Sequence, residues 1–153
     1  MKIAIVHDFL IEFGGAEKVL LDLLELYPKA DLYTLFYDQK GLGEFFDKYQ
    51  PRTSFLQKYP KFLKGAYLRP LSPMAIESFN LSDYNLVISN SNSFAKGVIV
   101  PPQTLHICYC HSPTRYLWDY AHQYAREHHL TGLKAVIAKP LLSYLRFWDR
   151  QAA

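Results

Sequence analysis

Residues 1–27 read MKIAIVHDFLIEFGGAEKVLLDLLELY, and this stretch predicts the fold. The apolar run at 3–6 is short, continuous and rich in β-branched residues, which is typical of a parallel strand covered on both faces. A loop ending in Gly14 and Gly15 follows, and the apolar residues of 16–27 then repeat at helical spacing. Strand, glycine turn and helix form the first half of a βαβ unit, so we expect ligands at the carboxyl end of this strand.

Composition indicates a folded domain and excludes several classes of protein. The chain has 153 residues, half of them hydrophobic, with 12 Tyr, 10 Phe and 2 Trp, which favours one packed domain over disorder. A net charge of +3 is too small to indicate nucleic acid. No signal peptide and no apolar run of about 18 residues is present, so we predict no membrane-spanning helix. We expect Cys108 and Cys110 inside the sheet, reduced and unpaired, in a cytoplasmic protein.

The rest of the chain continues the α/β pattern. We predict strands at 32–36, 52–55, 85–89, 98–100 and 105–109, and helices at 42–49, 94–97, 116–129 and 133–150. Pro140 is expected to kink or bound the last helix. Residues 144–153 still favour helix and carry no glycine cap, so we expect the chain to be a piece of a longer protein.

Polar and small residues follow three of these strands. They are His7–Asp8 with the glycine turn, the run 89–93, and the run from His111 to Arg115. Because parallel strands open their carboxyl ends on the same side of a sheet, the sequence predicts one polar crevice built from all three.

Residues 48–76 hold six basic side chains and no acidic one, interleaved with aromatic residues and prolines. Two interpretations stay open: a solvated helical pair over one sheet edge, or a cationic surface that meets anionic lipid head groups or a lipid-linked phosphate. Single-stranded nucleic acid uses the same residue types but is the least favoured partner, and we predict no nucleic-acid binding.

The motifs at these strand ends limit the kinds of ligand that the site can bind. The glycine turn can bring backbone N–H groups close to an anion, but it lacks the spacing of a dinucleotide fingerprint or a P-loop. Glu17 is most simply a partner of the helix dipole. His111 precedes Ser-Pro, with Arg115 nearby as a fork for phosphate. The histidines match no zinc spacing, so we predict no metal.

Four segments together resemble the N-terminal domain of family 4 glycosyltransferases, which are retaining enzymes of the GT-B type. The segments are VHDFLIEFGGAEKVLLDLLELYPKADLYTLFYD, YNLVISNSNSFAKGV, HICYCHSPTRYLWDYAHQY and LLSYLRFWDRQAA. The resemblance implies a Rossmann-like three-layer α/β/α domain with a mostly parallel sheet, truncated here before its last strand. It also implies that the C-terminal nucleotide-sugar half, with its E-x7-E motif, is absent; Glu17 and Glu25 share that spacing but lie on the first helix.

The resemblance assigns roles to particular residues. Gly14 and Gly15 would lie against the diphosphate of a nucleotide-sugar donor, and His111 would hydrogen-bond the donor sugar near the reacting carbon. Arg115 is a further candidate for donor phosphate. The acceptor-side candidates are Asp8, Ser91 and Lys96. No metal or other cofactor is implied, because backbone amides and cationic side chains stabilise the leaving diphosphate.

The function that follows is one half of a transferase that passes sugar to a lipid-linked or glycan acceptor in surface polysaccharide or cell-envelope synthesis. We expect it in the cytoplasm or at the inner face of the cytoplasmic membrane, and inactive as this fragment alone. The alternative is a non-catalytic flavodoxin-like binding module that docks a membrane or protein partner. An NAD-type oxidoreductase fragment is a weaker option, disfavoured by the glycine spacing.

Overall fold

A parallel sheet of five strands forms the centre of the protein. The computed structural model describes residues 1–59, 68–119, 121, 123 and 132–153. The strands are β1 (Ile3–Leu10), β2 (Asp31–Tyr37), β3 (Arg52–Thr53), β4 (Leu86–Ser91) and β5 (Leu105–Cys110). Their order across the sheet is β3-β2-β1-β4-β5, and each neighbouring pair is parallel. The predicted Rossmann-like α/β fold with a parallel sheet is confirmed.

Helices cover both faces of this sheet. They are α1 (Gly15–Leu26), α2 (Gln39–Phe46), α3 (Ser72–Glu77) and α4 (Gly132–Gln151), and short 3-10 turns include Phe55–Lys58 and Ala95–Gly97. The predicted helices at 16–27, 42–49 and 133–150 are therefore present with shifted ends. Pro140 lies inside α4 and does not end it.

Successive side chains of β1 point to opposite faces of the sheet, and the core forms one cluster on each face. Ile5 packs on one face with buried residues of α1 and α2, namely Leu20, Leu24, Leu42 and Phe46. Ala4 and Val6 point to the opposite face, where they join buried residues of α3 and α4, namely Ala75, Ile76 and Leu145. Because successive side chains of a strand point to opposite faces, one apolar run feeds both layers of the core.

The end of α4 packs tightly on the loop that follows β4. A Cβ atom at Gly97 would come within 2.3 Å of Cζ2 of Trp148, so this position has room for glycine alone. The Trp148 indole N–H donates to Glu77 Oε1 at 2.6 Å, which joins the same ring to α3. The final turn of α4 is thereby anchored to two separate parts of the domain.

Two sequence predictions were wrong, and a third, the helix 116–129, is only partly described and differs at its start. Cys108 and Cys110 are exposed, because β5 is the edge strand of the sheet in the described part of the chain and α4 leaves its surface largely open. Residues 98–100 form no strand; Pro101 and Pro102 follow them directly and lack the N–H groups that a ladder needs. The predicted helix 116–129 starts later than expected: residues 116–119 form turns, and residues 121 and 123 are helical. The rest of the predicted helix 116–129, apart from 121 and 123, lies outside the described residues, as do 60–67 of the basic segment.

The strand order places a topological switch point between β1 and β4. From β1 the chain moves outward through β2 and β3, and it then returns to the other side of β1 for β4 and β5. Open α/β sheets bind ligands outside the carboxyl ends of the strands at such a point. Among the described helices, none is long and apolar enough to cross a membrane.

Candidate functional site

Side chains from three strand ends meet at the switch point. His7 comes from β1, Asn90 from β4, and His111 follows β5 directly. His7 and Asn90 are fully buried, whereas His111 is partly exposed. The backbone holds His111 in place because its N–H donates to Ser91 O at 3.0 Å. The predicted convergence of polar strand ends therefore occurs at His111 and the end of β1.

Asn90 is the central contact of this group. Its Oδ1 is hydrogen-bonded to Nε2 of His111. Its Nδ2 donates to Ala16 O at 2.9 Å and lies 3.2 Å from Nδ1 of His7. One buried amide thus links β5, β1 and the first turn of α1.

Glu17 carries the network on to the glycine turn. Its Oε1 lies 3.1 Å from Nε2 of His7, and its Oε2 accepts the Gly14 N–H at 2.8 Å. The Glu17 carboxylate therefore caps α1 and also contacts His7. The sequence indicated only an interaction with the helix dipole. Gly14 and Gly15 themselves are exposed, with Gly14 as the N-cap residue.

The electrostatics favour an ionised Glu17 beside a neutral His111. Burial raises the pKa of Glu17, but hydrogen bonds from His7 and Gly14 and the charge of His7 outweigh it, and the net pKa is lowered. Burial lowers the pKa of His111, and His7 lowers it further, against the opposing charges of Asp8 and Glu17. The lowered pKa favours the uncharged form of His111 at neutral pH.

Asp8 lies next to this network but faces the loop after β4. Its Oδ2 accepts the N–H groups of Asn92 and Ser93 at 2.6 and 2.7 Å. Its Oδ1 accepts those of Phe94 and Ala95 at 2.7 and 2.5 Å. The carboxylate is buried, so its polar atoms are engaged inside the protein and hold this loop against β1.

Ser91 and Lys96 are also engaged internally. Ser91 is buried, and its Oγ accepts the Lys96 N–H at 3.2 Å. The Lys96 ammonium is buried in an ion pair with Asp149 Oδ1 of α4, at 2.8 Å. Arg115, by contrast, is exposed, in the turn that follows Thr114. As acceptor or phosphate contacts, these three residues stay predictions.

A cavity of about 770 Å³ opens beside β5, and the residues of the His111 network do not line it. Lys96, His106, Cys108, Cys110 and Asp149 contribute to its lining. His106 Nε2 lies 2.9 Å from Ser89 Oγ, and burial lowers the pKa of His106, so this ring is neutral as well. Across the described residues, no group of His, Cys, Asp or Glu side chains is arranged to hold a metal ion.

Sequence reasoning missed Asn90 and Asp149. Asn90 was read only as part of a polar run, and Asp149 as one residue of a terminal helix. The available signal for Asn90 was its place just after the apolar residues 86–88 of a predicted buried strand, because a buried amide has to be hydrogen-bonded. For Asp149 the sequence carried no comparable signal, since its partners lie far away in the chain.

Fold and site together define a Rossmann-like α/β domain whose polar network joins a glycine turn to a strand-end histidine. Comparison of the chain with protein-family models, with curated proteins and with solved structures gave no match.

Proposed function

We propose that the chain is the N-terminal, acceptor-side domain of a retaining glycosyltransferase that uses a nucleotide-sugar donor. The reaction breaks the bond between the anomeric carbon and the diphosphate, and it forms a bond from that carbon to an acceptor hydroxyl, whose proton is lost. The acceptor is a lipid-linked or other glycan of surface polysaccharide or cell-envelope synthesis. A second domain would supply the nucleotide contacts.

The observation that carries this proposal is the continuous link between the glycine turn and His111. Gly14, Glu17, His7, Asn90 and His111 are joined in that order by hydrogen-bond contacts. The two groups that the sequence resemblance assigns to one donor molecule are therefore held by one rigid frame. Each is accessible to ligand, since the glycines are exposed and His111 is partly exposed.

The chemistry of the glycine turn suits a diphosphate. α1 has 12 residues and begins at Gly15, so its free N–H groups and its dipole favour an anion in front of it. Apart from its two chain neighbours and the backbone of its own helix, no atom lies within 4 Å of the place where a Cβ of Gly15 would be, which leaves space for close approach. Backbone donors would thus stabilise the leaving diphosphate without a metal.

Gly15→Ala separates the ligand role of this turn from its structural role. The methyl group meets open space, so the variant is expected to be more stable by about 0.5 kcal/mol, because alanine restricts the unfolded chain. The same methyl blocks the phosphate, so affinity for UDP-glucose or GDP-mannose is expected to fall about tenfold or more. Urea denaturation measures the first effect, and NMR titration of the backbone amides with millimolar nucleotide-sugar measures the second.

The matched control is Gly41→Ala, the same change at an exposed glycine near the start of α2. It should leave nucleotide-sugar binding unaltered. The unsubstituted chain is expected to bind no tighter than about 100 µM, because the proposal assigns most nucleotide contacts to a second domain. Sub-micromolar binding, or unchanged affinity in Gly15→Ala, would contradict the proposal, as would an absence of amide shifts at Gly14, Gly15 and His111.

Membrane attachment through residues 48–76 belongs to the same proposal. Lys48 and Lys58 are exposed in the described part of this segment, whereas Arg52 is already bonded to Asp31 at 2.9 Å. In vesicle flotation, we expect the chain to bind anionic vesicles, with binding that weakens as the salt concentration rises. We expect no binding to neutral vesicles.

Reversing the charge of two exposed lysines in 48–76 tests whether this segment is the membrane-binding surface. Lys48→Glu/Lys58→Glu is expected to weaken binding to anionic vesicles about tenfold or more, at about 1 kcal/mol per lysine charge near the membrane. The control Lys18→Glu/Lys40→Glu makes the same change of net charge at exposed positions of α1 and α2. Equal loss in both double variants would show a general charge effect and would contradict a membrane surface at 48–76.

A non-catalytic docking module is the second candidate, and the edge strand favours it. One face of β5 exposes Leu105, Ile107 and Tyr109, with 60%, 48% and 50% of each residue accessible. A module of this kind would bind its partner there and would show no response at the glycine turn to nucleotide-sugar. The titration described above therefore distinguishes the two functions.

A further inference from the structure

The orientation of the Asn90 amide is fixed by its surroundings. Nδ2 lies 2.9 Å from the carbonyl oxygen of Ala16, an atom that can only accept a hydrogen bond. Turning the amide over would place two oxygens against each other at this distance. Oδ1 must therefore be the atom that faces His111.

The proton of His111 follows from that orientation. Because Oδ1 of Asn90 is an acceptor without a hydrogen, Nε2 of His111 has to carry the proton of their hydrogen bond. In the neutral ring, which the lowered pKa of His111 favours, Nδ1 bears a lone pair. Among the described residues, Nδ1 of His111 has no hydrogen-bond partner, and the ring is partly exposed.

The far end of the network supports the same arrangement. The Glu17 carboxylate can only accept, so Nε2 of His7 carries a proton toward it. Nδ1 of His7 lies 3.2 Å from Asn90 Nδ2 and 3.1 Å from Asn90 O. It can accept from the amide when His7 is neutral and donate to the carbonyl when His7 is charged, so Asn90 stays in place in either state.

We propose that Asn90 is a positioning residue that fixes His111 as a hydrogen-bond acceptor toward the ligand, and that the ligand group received there is a hydroxyl. A phosphate or carboxylate oxygen would meet the lone pair of Nδ1 and be repelled. The inference rests on the proposed function in that the hydroxyl is assigned to the sugar of the donor. It adds which atom of His111 meets the sugar and which residue sets that atom.

The test reads the two ring nitrogens of His111 directly. Long-range ¹H–¹⁵N NMR of the labelled chain, without ligand, is expected to show neutral His111 with its proton on Nε2. UDP-glucose should then shift the Nδ1 resonance, whereas UDP alone, which offers no such sugar, should not. A proton on Nδ1 would overturn the proposal, and so would an equal shift with UDP alone.

Asn90→Asp tests the positioning role. Its carboxylate still accepts from Nε2 but adds negative charge against the ring, so the titration midpoint of His111 should rise. The other titratable groups near this ring, namely His7 and Asp8 of β1, Glu17 of α1 and Tyr109 of β5, are unchanged. Asn80→Asp is the control, since Asn80 is exposed and its Oδ1 acceptor contact with Ser82 is kept.

The outcomes separate this inference from the proposed function. An unchanged His111 midpoint in Asn90→Asp would overturn the positioning role even if nucleotide-sugars bind. The expected proton position with no response to either UDP-glucose or GDP-mannose would instead overturn the sugar assignment and the transferase proposal with it. If Asn90→Asp does not fold, Asn90→Ala is measured instead. Without the Asn90 amide, we expect His111 to exchange between its two neutral tautomers. A single fixed tautomer would contradict the positioning role of Asn90.

Discussion

Asp8→Asn is expected to lower the free energy of unfolding by about 3–5 kcal/mol, one of the two largest losses we expect from a single substitution here. The Asp8 carboxylate accepts all four N–H groups of residues 92–95, two on each oxygen. An asparagine amide keeps one oxygen and turns an NH₂ group toward two of those donors. Two backbone N–H groups then lose their acceptor, at about 1–3 kcal/mol each when they are buried.

Urea denaturation followed by circular dichroism measures the loss, with Asp22→Asn as the control. Asp22 is exposed on α1, so the same chemical change there should shift stability by no more than about 0.5 kcal/mol. Hydrogen exchange should also rise at the amides of residues 92–95 in Asp8→Asn and not in the control. A loss below about 1 kcal/mol, or protected amides in that loop, would show that Asp8 does not hold it.

The fold was predictable because its signals are local. The apolar run Ile3–Val6, the glycine turn and the helical spacing after it lie within one stretch of sequence, and each acts through neighbouring residues. The meeting of strand ends also followed, since parallel strands open on one side whatever their order. Asp8 and His111 were accordingly recognised as residues of that edge.

The partners of those side chains could not be predicted, because they are set by contacts far apart in the chain. Asp8 bonds to residues 84–87 positions away, and Asn90 lies 83 positions from His7. The sequence placed Asp8 in a polar crevice, and the family resemblance made Lys96 an acceptor-side candidate. Neither showed that the loop after β4 would bind Asp8 or that α4 would pair with Lys96. The exposed cysteines have a similar cause, since burial of β5 depends on which elements cover the sheet edge and not on the strand itself.

Asp149→Asn is the second substitution with a large expected effect. Asp149 and Lys96 form an ion pair at 2.8 Å with each side chain only 7% exposed. The same carboxylate accepts from Thr114 Oγ1 at 2.5 Å and from Trp118 Nε1 at 2.8 Å, so it ties α4 to the segment after His111. Neutral asparagine has nearly the same shape but leaves the Lys96 ammonium buried without a countercharge. Removal of one partner of such a pair costs about 3–5 kcal/mol, which urea denaturation can measure.

A double variant shows whether that loss comes from the unpaired charge or from the damaged contacts of α4. Lys96→Met/Asp149→Asn removes both charges, so it should recover most of the stability lost in Asp149→Asn, because no buried ammonium remains. Asp119→Asn, at an exposed position, is the control and should be close to neutral. If the double variant is as unstable as Asp149→Asn, the bonds to Thr114 and Trp118 matter more than the ion pair. If Asp149→Asn itself loses less than about 1 kcal/mol, Lys96 reaches water and is free to meet a ligand, as the resemblance implies for an acceptor-side candidate.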